Sequence, residues 1–138
     1  MDRQYVLVAE DDEEDKEIME IVFSKLICPA EMVFVEDGKQ VLDYLKSYEG
    51  RFPSLILTDL NMPRMNGKQL LKSLKEDAQY KNILVVVFST STWQEDVNVC
   101  YKAGANTFIS KPADIQGWGE MLKNICSYWF HTALLPTH

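Results

Sequence analysis

The 138-residue sequence lacks the features that mark several large classes of protein. Its formal net charge is −7, an acidic balance that argues against non-specific nucleic-acid binding, which needs a basic surface. No apolar run approaches the roughly 20 residues of a membrane-spanning helix, and no basic and apolar leader opens the chain. We therefore expect a cytoplasmic protein that binds neither nucleic acid nor membrane.

Cysteine is scarce as well, with three residues in the chain. Cys28, Cys100 and Cys126 form an odd set whose spacing matches no pattern of metal ligands. With 46% hydrophobic and 25% charged residues, a chain of this length can build one domain with a substantial core without disulfides or metals. We expect three reduced, mostly buried thiols, as is usual in the cytoplasm.

Short apolar runs alternate five times with segments of helical periodicity. The runs are largely apolar throughout, which is typical of strands buried on both faces of a parallel sheet. We therefore predict a doubly wound α/β fold, in which a five-stranded parallel sheet is flanked by five helices and the crossovers are right-handed. The predicted strands cover residues 5–9, 32–36, 55–59, 83–88 and 106–110.

Chemically capable side chains follow four of these strands. Glu10 and Asp11 come after the first strand, Asp59 ends the third, Ser89 follows the fourth and Lys111 follows the fifth. Because parallel strands end at one edge of the sheet, we expect these side chains to converge. Carboxylates held close together repel one another unless a cation lies among them, and hard oxygen ligands in a partly open site suit Mg²⁺.

A hydroxyl and an ammonium opposite the carboxylates would supply the donors that a phosphoryl group needs. A carboxylate is also a competent nucleophile for phosphoryl transfer, and its product is an acyl phosphate. The residues alone therefore predict that Asp59 is a Mg²⁺-dependent phospho-acceptor. Each residue also has an ordinary structural explanation as a cap, a turn residue or a solvated helix start. The functional interpretation rests on their coincidence after different strands of one pattern.

Several motifs occur here together in a recognisable order. They are Leu7-Val-Ala-Glu-Asp11, Leu57-Thr-Asp-Leu-Asn-Met-Pro-Arg-Met-Asn-Gly67, Val87-Phe-Ser89, Ala103-Gly-Ala and Phe108-Ile-Ser-Lys-Pro112. On these motifs the sequence resembles the receiver domains of bacterial two-component response regulators, over about residues 4–129. The resemblance implies a flavodoxin-like fold with strand order 2-1-3-4-5.

The same resemblance implies a role for each residue around the acceptor. Asp59 is expected to be the phosphorylation site. Mg²⁺ is expected to be held by Asp59, by Asp11 directly, by Glu10 through water, and by the backbone carbonyl of Asn61.

A second group of residues is expected to respond to the phosphoryl group. Ser89 and Lys111 would bind its oxygens. Ser89 and Phe108 would form the switch, with Phe108 turning inward when Ser89 moves. The bond between Lys111 and Pro112 is expected to be cis.

The receiver pattern accounts for nearly all of the chain. We expect a receiver domain over residues 1–129, a short tail over residues 130–138 and no output domain. Such a single-domain response regulator is not a conventional enzyme. It would accept a phosphoryl group from the phosphohistidine of a sensor histidine kinase or a phosphotransfer protein. It would then signal to an unknown downstream protein through a conformational switch, or relay the phosphoryl group.

The tail and the surface carry two further expectations. The apolar, Pro-containing tail and the segment Val-Phe-Ser-Thr-Ser-Thr resemble single-domain receivers of the phytochrome-associated type. A homodimer could form through the fourth-helix to fifth-helix face or through the tail.

Features of the sequence argue against three other classes of protein. An aspartyl phosphatase of the haloacid-dehalogenase type needs a second carboxylate two residues after the nucleophile, and that position is Asn61. A flavodoxin-like flavin binder would suffer repulsion between its flavin phosphate and the acidic first loop. A receiver-like interaction module that is never phosphorylated is disfavoured by the full set of site residues.

Overall fold

Five β-strands alternate with five α-helices in the computed structural model, which describes residues 4–47 and 51–136. The strands are β1 (Gln4–Ala9), β2 (Ala30–Val35), β3 (Leu55–Asp59), β4 (Leu84–Ser89) and β5 (Thr107–Ser110). The helices are α1 (Glu13–Ser24), α2 (Gly38–Ser47), α3 (Gly67–Glu76), α4 (Gln94–Lys102) and α5 (Ile115–Ser127), and a π-helix follows at Tyr128–Thr132. The outer ends of the predicted domain and tail, residues 1–3 and 137–138, lie outside the described residues.

All strands of the sheet are parallel, in the order β2-β1-β3-β4-β5. This confirms the predicted fold class and strand order. The chain moves to one side of β1 to form β2 and to the other side to form β3, so a crevice opens between the carboxyl ends of β1 and β3. Ligands of open α/β sheets bind at such a point.

Hydrophobic side chains pack on both faces of the sheet, which explains why its strands are almost wholly apolar. Helices α2, α3 and α4 cover one face and α1 and α5 cover the other. Neighbouring residues of β1 point to opposite faces, Leu7 toward the first group of helices and Val8 toward the second. Among residues 4–47 and 51–136, no helix combines the length and apolar character that crossing a membrane requires.

Side-chain caps fix where several helices begin and end. Asp12 accepts a hydrogen bond from the Asp15 N–H at 3.0 Å, so α1 begins at Glu13. Asp37 caps α2, because its Oδ1 accepts from the Gln40 N–H at 2.9 Å. Helix α4 ends at Lys102, and two residues later Gly104 adopts a φ of 109° that a side chain would disfavour.

Two of the three cysteines form a disulfide, so the expectation of reduced thiols is wrong for Cys28 and Cys126. Cys100 is free and buried, as expected. Cys28 lies just before β2 and Cys126 in the last turn of α5. Packing of α1 against α5 brings the two Cα atoms within 6.0 Å although 98 residues separate them in the sequence. Such proximity is a property of the fold that sequence spacing does not reveal.

An ion pair fastens the loop that follows β3. The Arg64 guanidinium donates to Asp37 Oδ2 from Nε at 2.7 Å and lies within 2.6 Å of it through Nη2. The Asp37 side chain is only 1% exposed, and Arg64 has a φ of 59°, in the left-handed region. At the end of this loop a Cβ on Gly67 would lie 2.7 Å from the Asp59 carbonyl oxygen, so the chain requires glycine there.

We expect Arg64→Met to lower the free energy of unfolding by about 2 kcal/mol, because a buried carboxylate loses its cation. Urea unfolding followed by circular dichroism would measure the change. Lys39→Met is the matched control, since Lys39 is an exposed cation two residues after Asp37 in the sequence. Equal stability of the two variants would contradict a stabilising role for the Arg64 to Asp37 pair.

Candidate functional site

The sheet register brings the predicted site residues together at the carboxyl edge. Ala9 pairs with Thr58, so Glu10 and Asp59 leave β1 and β3 side by side. Asp59 in turn pairs with Phe88, and so the next residue along β4 lies beside the acceptor strand. Each functional residue therefore owes its position to the strand that ends beside it.

Lys111 joins the residues that were predicted to converge. Its Nζ donates to Glu10 Oε1 at 2.7 Å and to Asp59 Oδ2 at 2.9 Å. It also donates to Asp15 Oδ2 at 2.8 Å.

Two further contacts hold Lys111 beside β4. The backbone N–H of Lys111 donates to the Ser89 carbonyl at 2.8 Å, which fixes the start of the loop after β5. The ammonium also lies 5.1 Å from the centroid of the Phe88 ring.

Three carboxylates at this edge are placed to share a cation. One oxygen each from Glu10, Asp11 and Asp59 can lie within 4.8 Å of the others. Glu10 and Asp59 are buried, whereas Asp11 is exposed and leaves the site open to solvent. Hard oxygen donors in a partly open site suit a divalent cation such as Mg²⁺, which keeps several waters and prefers few protein carboxylates.

Burial strongly perturbs the charges of this cluster. It raises the pKa of Glu10 to about 8; the hydrogen bond from Lys111 opposes this shift, and the neighbouring carboxylate of Asp59 adds to it. For Lys111, burial would lower the pKa, but the hydrogen bonds to its three carboxylate partners outweigh burial and raise the pKa well above its ordinary range. The site therefore holds a permanent ammonium beside a carboxyl group that is readily protonated.

The backbone just after the acceptor also faces it. Asn61 is exposed, and its N–H donates to Asp59 Oδ1 at 3.2 Å. This contact turns the start of the β3–α3 loop back over the carboxylate. The use of the Asn61 carbonyl as a metal ligand stays a prediction.

Ser89 ends β4 as a fully buried residue and connects the site to a polar chain of contacts. Its Oγ accepts from the Ser91 N–H at 3.0 Å. The Ser91 hydroxyl donates to Asp96 Oδ2 at 2.7 Å, and Lys68 Nζ donates to Asp96 Oδ1 at 2.8 Å. The turn that carries Ser89 is therefore tied to α4 and, through Lys68, to α3.

The two remaining predicted residues lie on either side of the last strand end. Phe108 is half-buried and packs against the core under α2, α3 and α4, while its N–H donates to the Tyr101 hydroxyl at 3.1 Å. The Lys111–Pro112 bond is trans, so the predicted cis bond is wrong. Bonds before proline favour trans by about 0.5–1 kcal/mol unless their surroundings impose cis, and the trans chain already lets Lys111 reach Ser89 and the carboxylates.

Sequence reasoning missed Asp15 and Tyr101. Asp15 is one of three acidic residues in the first turn of α1, and its contact with Lys111 depends on how α1 is oriented over the site. Tyr101 gave no signal, because its hydroxyl meets an edge-strand N–H only after α4 has packed beside β5.

The fold and the site geometry together define a known class of protein. Residues 6–123 match the response regulator receiver domain family. The chain belongs to that family, as its motifs predicted.

Within the family the chain is similar to response regulators of phytochromes. It is 29% identical over 136 residues to response regulator Rcp1 of Synechocystis, with 95% of this chain and 92% of Rcp1 covered. The phosphorylated cyanobacterial phytochrome response regulator RcpA shares its fold with a TM-score of 0.90 and 31% identity, over 99% of this chain and 100% of RcpA. Response regulator RPA3017, from red light signaling of R. palustris, has a TM-score of 0.89 and is 34% identical, over 98% of this chain and 99% of RPA3017.

A metal-bound relative bears on the carboxylate cluster. The Mn²⁺-bound form of Rcp1 matches with a TM-score of 0.88 and 28% identity, over 97% of this chain and 99% of that protein.

The similarities to Rcp1, RcpA and RPA3017 confirm the predicted resemblance to phytochrome-associated receivers.

Proposed function

We propose that this protein is a response regulator that accepts a phosphoryl group on Asp59 and signals through the resulting conformational change. One observation carries the proposal. A single ammonium, that of Lys111, contacts both the acceptor carboxylate of Asp59 and Glu10 in the crevice between the carboxyl ends of β1 and β3. This arrangement places a fixed positive charge beside a nucleophile, where negative charge develops during phosphoryl transfer.

The donor is a phosphohistidine of a sensor histidine kinase or a phosphotransfer protein. An oxygen of Asp59 attacks the phosphorus, the new P–O bond forms as the P–N bond breaks, and the histidine leaves as neutral imidazole after taking a proton from solvent. Lys111 donates a hydrogen bond to a phosphoryl oxygen, and the Ser89 hydroxyl donates another. The protein thereby assists its own phosphorylation and dephosphorylation without being a conventional enzyme.

The carboxylates of Glu10, Asp11 and Asp59, with the backbone carbonyl of Asn61, would hold Mg²⁺. Their spacing and hard oxygen donors support this assignment. When bound, Mg²⁺ supplies charge neutralisation between the carboxylates and the phosphoryl oxygens. Glu10 would act through water and Asp11 directly, an assignment supported by the burial of Glu10 and the exposure of Asp11.

Output is proposed to follow from movement of Ser89. The Ser89 hydroxyl can donate to the phosphoryl group while it still accepts from the Ser91 N–H, so movement of Ser89 toward the phosphoryl group would pull on the turn that Asp96 anchors to α4. Phe108 then turns further inward, held by packing alone because it has no hydroxyl. The result is a shift between two populations of the α4 and β5 surface.

A downstream protein, or a second copy of the chain, would read that surface. Val99 and Tyr101 are exposed on α4, and Tyr128 and Leu134 are exposed after α5, so both predicted dimer surfaces offer apolar contacts. The similarity to phytochrome response regulators supports a phytochrome-type histidine kinase in the cytoplasm as the donor.

Intact mass spectrometry after incubation with Mg²⁺ and acetyl phosphate tests the central proposal. We expect a gain of one phosphoryl group that requires Mg²⁺ and is absent in Asp59→Asn. Beryllofluoride, which mimics the phosphoryl group, should bind the unmodified protein. Failure of both reactions would overturn the phospho-acceptor assignment and favour a constitutive interaction module.

A further inference from the structure

The ammonium of Lys111 has no hydrogen-bonding capacity left. A protonated lysine carries three N–H donors, and three carboxylates accept from this one at 2.7–2.9 Å. Two of the acceptors, Glu10 and Asp59, belong to the group that can share a cation. The third acceptor is Asp15. A phosphoryl oxygen on Asp59 can gain an N–H from Lys111 only if an existing acceptor gives one up.

Asp15 differs from the other two acceptors in its position and surroundings. It lies in the first turn of α1 rather than at a strand end, and it is absent from the cation-sharing group. Its side chain is 24% exposed, whereas those of Glu10 and Asp59 are 0% and 8% exposed. Because Asp15 does not belong to that group, a divalent cation held by Glu10, Asp11 and Asp59 would leave the contact between Asp15 and Lys111 in place.

We propose that Asp15 is a positioning residue that competes with the incoming phosphoryl group for Lys111. The inference rests on the proposed function of Asp59. In the resting protein Asp15 holds the ammonium within reach of the acceptor while it occupies one of the three donors. After phosphorylation the carboxylate of Asp15 and a phosphoryl oxygen share one ammonium as their donor.

Charge repulsion gives this competition its direction. Two acceptors of the same Nζ lie within about 6 Å of each other, twice a hydrogen-bond length. At that distance and partial burial, two negative charges repel each other appreciably. Removing the charge of Asp15 should therefore favour the phosphorylated state, because Lys111 keeps Glu10 and the backbone contact to Ser89 as anchors.

Beryllofluoride titration tests the inference in the full-length chain with saturating Mg²⁺. Intrinsic fluorescence reports binding, since Trp93 lies in the turn between Ser89 and α4. We expect Asp15→Asn to bind beryllofluoride about fivefold to tenfold more tightly than the wild type, as relief of one partly screened charge contact predicts. Asp15→Ala, which also removes the acceptor, should bind at least as tightly as Asp15→Asn.

Two controls separate this contact from general effects of charge. Glu14→Gln removes an equal charge from an exposed neighbour in the same helical turn and should leave the affinity unchanged. In a Lys111→Gln background, Asp15→Asn should give a smaller gain, because the shared donor that holds the two anionic groups close together is gone. Mg²⁺ affinity is measured separately for each variant, so that a change in metal binding is not mistaken for competition.

The outcomes distinguish the two proposals. If the wild type binds beryllofluoride and Asp15→Asn binds it equally or more weakly, competition by Asp15 is overturned while the phospho-acceptor function stands. If Glu14→Gln tightens binding as much as Asp15→Asn, the effect belongs to net charge and the inference fails. If the wild type itself neither binds beryllofluoride nor becomes phosphorylated, the proposed function fails and the inference fails with it.

Discussion

Magnesium binding is expected to tighten about tenfold for each pH unit between pH 6 and pH 8, where one proton must leave the site. Burial, with a contribution from Asp59, raises the pKa of Glu10 to about 8. Below that pH Glu10 is neutral and a poor partner for a cation and its waters. Calorimetric titration with Mg²⁺ at several pH values, in buffers of different ionisation enthalpy, would give both the affinity and the number of protons released.

Glu10→Gln is the informative variant for this prediction. It cannot release the proton, so its Mg²⁺ affinity should be weak and nearly independent of pH over the same range. Glu14→Gln keeps Glu10 and should retain the pH dependence. An affinity for Mg²⁺ that does not change with pH in the wild type would show that Glu10 is already ionised at pH 6, and that Lys111 stabilises its charge more strongly than burial opposes it.

The same proton sets the direction of a stability change in the metal-free protein. A carboxyl group whose pKa rises on folding binds more protons in the folded state than in the unfolded state, between its ordinary pKa of 4.5 and about 8. Its contribution to stability is therefore present at low pH and is lost as the pH rises through that window. Mg²⁺ should reverse this trend, because its attraction for the ionised carboxylate grows over the same interval.

The parts of the site that sequence predicts are those fixed by strand ends. Glu10, Asp59 and Lys111 each follow or end an apolar run, and parallel strands leave no choice about which edge they reach. Their contacts follow from topology almost without regard to helix packing. The fold class was also predictable, because the central strands β1, β3 and β4 are buried on both faces and are therefore largely apolar.

Contacts made by helices and loops were not predictable in this way. Asp15 reaches Lys111 only because α1 starts at an angle that packing of the whole helix determines. The pair of Arg64 and Asp37 joins two loops, and it depends on a left-handed backbone conformation that an arginine seldom adopts. These residues looked like ordinary surface and cap positions because the sequence records composition and periodicity but not distance.

Reduction of the Cys28–Cys126 disulfide is expected to lower the free energy of unfolding by about 4–5 kcal/mol, the value for a closed loop of this length. The bridge spans 98 residues and links the segment before β2 to the end of α5, so it constrains most of the unfolded chain. The midpoint of thermal unfolding should then fall by roughly 10–20 °C on reduction. Differential scanning calorimetry with and without a thiol reductant measures both quantities.

The thiols can be counted independently of stability. Alkylation after unfolding without reductant should modify one cysteine, Cys100, and alkylation after reduction should modify three. Cys28→Ser with Cys126→Ser should match the reduced wild type and ignore reductant, whereas Cys100→Ser should keep the full response. Disulfides are rare in a reducing cytoplasm, so modification of three thiols without reductant in protein kept from air would mean that the pair lies close together yet stays reduced in the cell. The α1 and α5 face would then be stabilised by packing alone.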